Sequence, residues 1–206
     1  MSKKLILYSW IVLLQACAVN YHKINIENYH YKMYDEYNNN IRISIADTNV
    51  FNESNNHRIS RKNTRKKLLV LPVKLENISE DTIKVADLKI ELFYDFEKAL
   101  ILSPSSYYKK INQKAYLHGI EILIGLVAIS SPGSSGFSWN PYNPFNLMMP
   151  LGIYNINKAI RANNELKNDL NTLNVLDKTI YPHSFQYGII CVKTRHNNQL
   201  MIRLNK

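Results

Sequence analysis

The stretch from Leu68 to Tyr94 constrains the fold most, because its apolar residues recur with a period of two rather than 3.6. Leu69, Leu71, Val73 and Leu75 alternate with Val70, Pro72, Lys74 and Glu76. Asn77 to Asp81 then supplies turn residues, a second strand begins at Thr82, and Leu88 to Tyr94 alternates again. Such a pattern suits strands whose side chains point by turns into a core and away from it. Pro72 has no backbone donor, so its strand is expected at a sheet edge or with the imide nitrogen turned out of the ladder.

The same pattern returns on either side. Ile41 to Ile45 places three isoleucines on one face with Arg42 and Ser44 on the other, and the domain is expected to start there. Asp177 to Lys193 reads as strand, turn, strand, and Gln199 to Leu204 as a last strand. Ile189, Ile190, Cys191 and Val192 form an unbroken run, which predicts burial on both faces. Over roughly 41–95 and 177–205 these segments resemble an immunoglobulin-like β-sandwich of the kind found in bacterial surface and periplasmic proteins. The resemblance implies packed antiparallel sheets and, because that architecture serves many functions, no particular activity.

An insertion at about 105–174 does not fit a plain sandwich. Tyr108, Ile111, Ala115, His118, Ile122, Leu126 and Ile129 recur at spacings of three and four, predicting one helix after the Ser103-Pro104 break. A second helix over about Leu151 to Leu173 carries Ala159, Ala162, Leu166, Leu170 and Leu173 on one face. The two are expected to form a helical hairpin on a sheet, which makes the fold class α+β. The apolar run Ile120 to Ile129 contains Glu121 and falls short of the roughly twenty residues that span a bilayer, so it reads as a buried helix end. At the hairpin's tip, a glycine-rich loop leads into Phe137, Trp139, Tyr142, Phe145, Met148 and Met149. These side chains either form a contact surface for a partner, a glycan or the membrane interface, or cap the core.

The chain's start bears on location. Lys3 and Lys4 precede an apolar run, Leu5 to Leu14, that ends in Leu14-Gln15-Ala16-Cys17. This resembles a bacterial lipoprotein signal peptide, although Gln15 departs from the usual small or β-branched residue. The resemblance implies cleavage before Cys17, acylation of that cysteine, a signal peptide at 1–16, an anchor and tether at 17–40, and a domain at 41–206. Residues 18–40 read as a polar spacer, with an ordered strand at 22–27 as the alternative. Ala18 and Val19 follow Cys17 with no aspartate, so enteric-type sorting would send the protein to the outer membrane, facing the periplasm. Cys17 and Cys191 are the only cysteines. With Cys17 acylated no internal disulfide is expected, and Cys191 reads as a small buried hydrophobe.

The net charge of +10 suits contact with anionic surfaces. Arg58, Arg61, Lys62, Arg65, Lys66 and Lys67 crowd together, and like charges so close predict a loop, either merely solvated or set on lipid head groups. Export and the absence of interleaved aromatics argue against nucleic acid. The six histidines show no metal-ligand spacing, and Gly133-Ser134-Ser135-Gly136 is neither a nucleophile elbow nor a phosphate loop. No cofactor or metal site is expected. Glu165 with Asp169, and Glu91 with Asp95, read as solvated charge, and His118 as a satisfied core histidine. The sequence thus points to a non-enzymatic, lipid-anchored envelope protein acting as a binding or structural module. Cys17 meets the membrane, while Phe137, Trp139, Tyr142 and the basic cluster meet lipid or an envelope protein. The alternative is an envelope enzyme acting on glycan or lipid, with Trp139 and Tyr142 as a substrate platform.

Overall fold

The structure, a computed structural model, describes residues 18–37, 40–46, 48–94, 97–129, 148–194 and 200–205. Residues 1–16, which the sequence reading takes as a signal peptide, Cys17 and the tip residues Phe137, Trp139 and Tyr142 lie outside the described residues, as does Asp95. The chain mixes helices with antiparallel sheets and divides into two compact units. One comprises His22–Ile111 with Glu165–Lys206, the other Met1–Tyr21 with Asn112–Asn164.

The first unit holds every described strand. A five-stranded antiparallel sheet has the order β1 (Lys32–Tyr37), β2 (Ile41–Ile45), β3 (Leu68–Asn77), β9 (Phe185–Lys193), β7 (Leu100–Leu102). A three-stranded sheet joins β10 (Leu200–Asn205), β5 (Lys89–Tyr94) and β6 (Glu97–Lys98), and β4 (Ile83–Lys84) pairs with β8 (Thr179–Ile180). The period-two residues do what their spacing predicts. Ile41, Ile43 and Ile45, Leu71, Val73 and Leu75, Leu92 and Tyr94, and Ile190 and Val192 share one buried cluster. Fully burying one such aliphatic side chain contributes roughly 1.5–3 kcal/mol. Ile189 and Cys191 are buried as well, so β9 is covered on both faces. Burial pushes the free Cys191 thiol far above the usual range, which leaves it inert.

Pro72 is on a central strand, not at an edge. Its carbonyl accepts the amide of Ala46 at 3.0 Å, and β2 ends at Ile45. Carbonyl and nitrogen of one strand residue point the same way, so the missing donor faces the place where β2 stops and disturbs no bond to β9. The predicted turn after β3 is held by buried Asn77. Its amide nitrogen donates to the Asp81 carbonyl at 2.6 Å and reaches Tyr181 O at 3.2 Å, while its oxygen accepts from Ser79 N at 3.0 Å.

Four expectations need correction. The basic segment is no loop: α1 (Val50–Glu53) leads to α2 (His57–Lys66), which ends with Lys67 in the left-handed conformation at φ 54°. The single helix expected over 108–129 is broken into α3 (Pro104–Ile111), a 3-10 turn at Ala115–His118 and α4 (Gly119–Ile129). The polar spacer is built into the fold, with Ala18, Tyr21, Ile24 and Ile26 buried. Asn56 clamps His22 by accepting its amide at 2.9 Å and donating to its carbonyl at 2.7 Å. Asp169 accepts the Ile24 amide at 3.0 Å and is buried, so it is not the solvated charge its spacing from Glu165 suggests. Tyr29 donates to Val50 O at 3.2 Å, Tyr31 donates to Ile26 O, and the Tyr31 ring lies 5.4 Å from that of Tyr187.

At Gly188 the 173–175 segment approaches β9 too closely for a side chain. A Cβ there would fall 2.5 Å from Val175 Cβ and 2.8 Å from Leu173 O, beside the 2.7 Å bond from Ile189 N to Leu173 O. Gly188→Ala should therefore lower stability by about 1–3 kcal/mol through overpacking. Chemical denaturation measures it, and an unchanged midpoint would show that the 173–175 segment yields freely.

Candidate functional site

The second unit is built from residues 18–21, α4 and the first part of α5 (Met148–Thr172), with Pro150 near the start of α5, where its missing donor costs nothing. Asn163 explains the break before α4. Its side-chain oxygen accepts the Gln113 amide at 2.7 Å and its nitrogen donates to the Gln113 carbonyl at 2.8 Å, so both backbone groups are taken out of a helix. Gln113 in turn grips Val19, accepting its amide at 3.2 Å and donating to its carbonyl at 2.8 Å.

Glu121 sits at the centre of this unit, 5% exposed, in the first turn of α4. A buried carboxylate needs donors, and two side chains supply them. His118 Nδ1 donates to one oxygen at 3.0 Å and Asn155 Nδ2 to the other at 2.9 Å. Asn155 is 3% exposed, and its own oxygen accepts the Ala18 amide at 3.4 Å. Gly152 lets α5 come close: a Cβ there would lie 2.8 Å from Ile122 Cγ1 and 3.0 Å from His118 O. The inner stripe of α5 in this unit is therefore Met148, Gly152, Asn155, Ala159, Ala162 and Asn163, in which Met148 is the one large apolar side chain.

The apolar residues are outside. On α4, Ile120, Leu123 and Leu126 are exposed, Leu123 by 62%. On α5, Leu151, Ile153, Tyr154 and Ile160 are exposed, Tyr154 by 60% with Lys158 Nζ 5.6 Å from its ring centroid. This reverses the usual amphipathic arrangement of a helix in water. Among the described residues no helix is long and apolar enough to cross a membrane, and no three His, Cys, Asp or Glu side chains gather as a metal site would need.

The basic residues expected to act together fall on α2 and its cap. Ile59 and Asn63 face inward, and Arg58, Arg61, Arg65, Lys66 and Lys67 are exposed. Lys62 and Lys66 have structural work: their ammonium groups donate to the carbonyls of Ile111, at 2.9 Å, and Lys110, the C-terminal end of α3. Cations at a helix C-terminus satisfy orphan carbonyls and oppose the dipole, and Arg65 and Lys66, in the last turn of α2, stand where they oppose its dipole too. This is why a run that should repel itself folds as a helix.

His118 is the satisfied core histidine its position on the stripe suggests, and its pairing with Glu121 is a spacing of three visible in the sequence. The parts played by Asn155 and Asn163 are not visible that way, although a helix stripe of Gly, Asn and Ala is the sign that could have found them. Compared with known families, curated proteins and solved structures, the chain matches none.

Asn155→Ala leaves one Glu121 oxygen and the Ala18 amide without their partner and should cost about 1–3 kcal/mol. Asn155→Asp should cost more at neutral pH, because it sets a second carboxylate against Glu121, and the excess should shrink on acidification as the new carboxyl takes up a proton. Urea melts at two pH values test this, and equal penalties for both variants at each pH would contradict the hydrogen-bond assignment.

Proposed function

We propose that this chain is a non-enzymatic, lipid-anchored envelope protein, a contact or structural module held at the periplasmic face of an outer membrane by acylated Cys17. The observation that carries the reading is the state of the residue after that cysteine. Ala18 is buried and its amide is bound by Asn155, and Val19 is bound by Gln113 on both backbone groups. A lipid on Cys17 would then be joined to a folded unit with no spacer, so that unit would lie against the lipid surface.

The body of the module is, on this reading, an immunoglobulin-like sandwich. Support comes from the single apolar cluster that β2, β3 and β9 of the larger sheet share with β5 of the smaller one, side chains alternating along each strand. Contacts with the envelope would come from the exposed arginines of α2 and the aromatic tip.

Metabolic labelling with an alkyne fatty acid tests the anchor. Wild type should take up label and fractionate with membranes, whereas Cys17→Ser should lose the label and run as the uncleaved precursor or leave the membrane. Equal labelling of both proteins would end this reading.

A further inference from the structure

The exposed apolar side chains of the second unit have a specific occupant. We propose that Ile120, Leu123 and Leu126 of α4, with Leu151 and Tyr154 of α5, sit in the interfacial zone of a lipid bilayer, with Lys114, Lys158 and Arg161 at the phosphate level. The proposal deepens the anchoring reading and rests on it for the identity of the membrane.

Three independent observations favour lipid over water or a protein partner. First, the arrangement of the unit is that of a protein in an apolar solvent. Its interior holds Gly152, Ala159 and Ala162, the mutually bonded Glu121, His118 and Asn155, and Asn163 bound to the Gln113 backbone, with Tyr21 and Met148 as its large buried side chains, while leucines and isoleucines of both helices are exposed. Without a hydrophobic drive to bury leucine, small residues and hydrogen bonds hold helices together. Exposed apolar patches of this kind are rare on soluble monomers.

Second, the charge is one-sided. Glu121 is the only carboxylate among the described residues of this unit, and it is buried. Lys114 and Arg161 are exposed and Lys158 is partly so, over the ring of Tyr154. Aliphatic stems beside apolar surface with cationic heads, and a tyrosine among them, suit the boundary between acyl chains and anionic head groups. Third, Ala18, the residue that follows the proposed acylation site, belongs to this unit and is bound there by Asn155, so the acyl chains would emerge from the same unit. Among the described residues no helix is long and apolar enough to cross a membrane, and the proposal places these side chains in the surface of one leaflet.

The test uses full-length acylated protein in vesicles of phosphatidylethanolamine and phosphatidylglycerol. Leu123→Cys carries an environment-sensitive nitrobenzoxadiazole label, and Thr179→Cys, exposed on β8 of the other unit, carries the same label as control. Both positions are exposed, so neither change removes core packing, and buried Cys191 does not react. The label at 123 should shift to the blue, brighten several-fold, and be quenched by lipids with brominated acyl chains. The label at 179 should do none of these. Iodide quenching at 123 equal to that at 179, with the protein still on the vesicles, would overturn the insertion and leave the anchor standing. A change at 123 that follows protein density and ignores bromine would overturn it in favour of contact between copies. Protein that fails to stay with the vesicles would overturn both readings.

Discussion

The ladder between β3 and β9 is the constraint on which the first unit depends. It runs from Leu68 opposite Lys193 to Glu76 opposite Phe185, joining the first half of the chain to its C-terminal end. β2 adds to one side of this pair and β7 to the other, so neither can be placed before the ladder closes. β9 is in addition covered on both faces over part of its length, so it is apolar at every position from Ile189 to Val192, whereas β3 keeps Lys74 and Glu76 partly exposed. Closing so long a loop adds little to the entropic cost, which grows only slowly with length, but non-local pairing of this kind slows folding. The same crowding accounts for Gly188: backbone from 173–175 presses on β9 where any side chain would collide.

Elements whose reason for existing is local were legible in the sequence, and those that answer to a distant partner were not. β2, β3, β5, β9 and β10 each carry their own apolar pattern. β1 has none in Lys-Met-Tyr-Asp-Glu-Tyr and is a strand because β2 offers it an edge. Counting like charges predicts a loop at 57–67, since the count omits the carbonyls of Lys110 and Ile111 that await Lys66 and Lys62. The stripe from Tyr108 to Ile129 is a good helix pattern, and Asn163 breaks it from fifty positions away. For Pro72 the sequence left two readings open, and the end of β2 decides between them.

In the candidate site the sequence shows the parts but not their arrangement. Glu121 inside an apolar run is the cause of the inversion. A carboxylate taken out of water must keep its donors, so His118 and Asn155 are drawn inward with it. A helix has only one buried stripe, and on α5 in this unit that stripe, after Met148 in its first turn, is taken by Asn155, Asn163 and residues small enough to let the backbones approach. Leucine, isoleucine and tyrosine are left to the outside. A periodicity that would mark a core face in water here marks the opposite face, and hydrophobicity alone cannot tell the two apart.

The net charge of +10 gains meaning only when its groups are assigned. Lys62 and Lys66 neutralise helix-end carbonyls and belong to the architecture of the first unit, whereas Arg61 and Arg65 point outward from α2. In the second unit the internal carboxylate is held by neutral or shared hydrogen bonds, so Lys114, Lys158 and Arg161 face outward without an acidic neighbour among the described residues of that unit. Total charge would predict a diffuse attraction to any polyanion. The assigned charge is narrower: cations beside exposed aliphatic surface bind a plane that is anionic above and apolar below, and a soluble polyanion offers only the first half of that match.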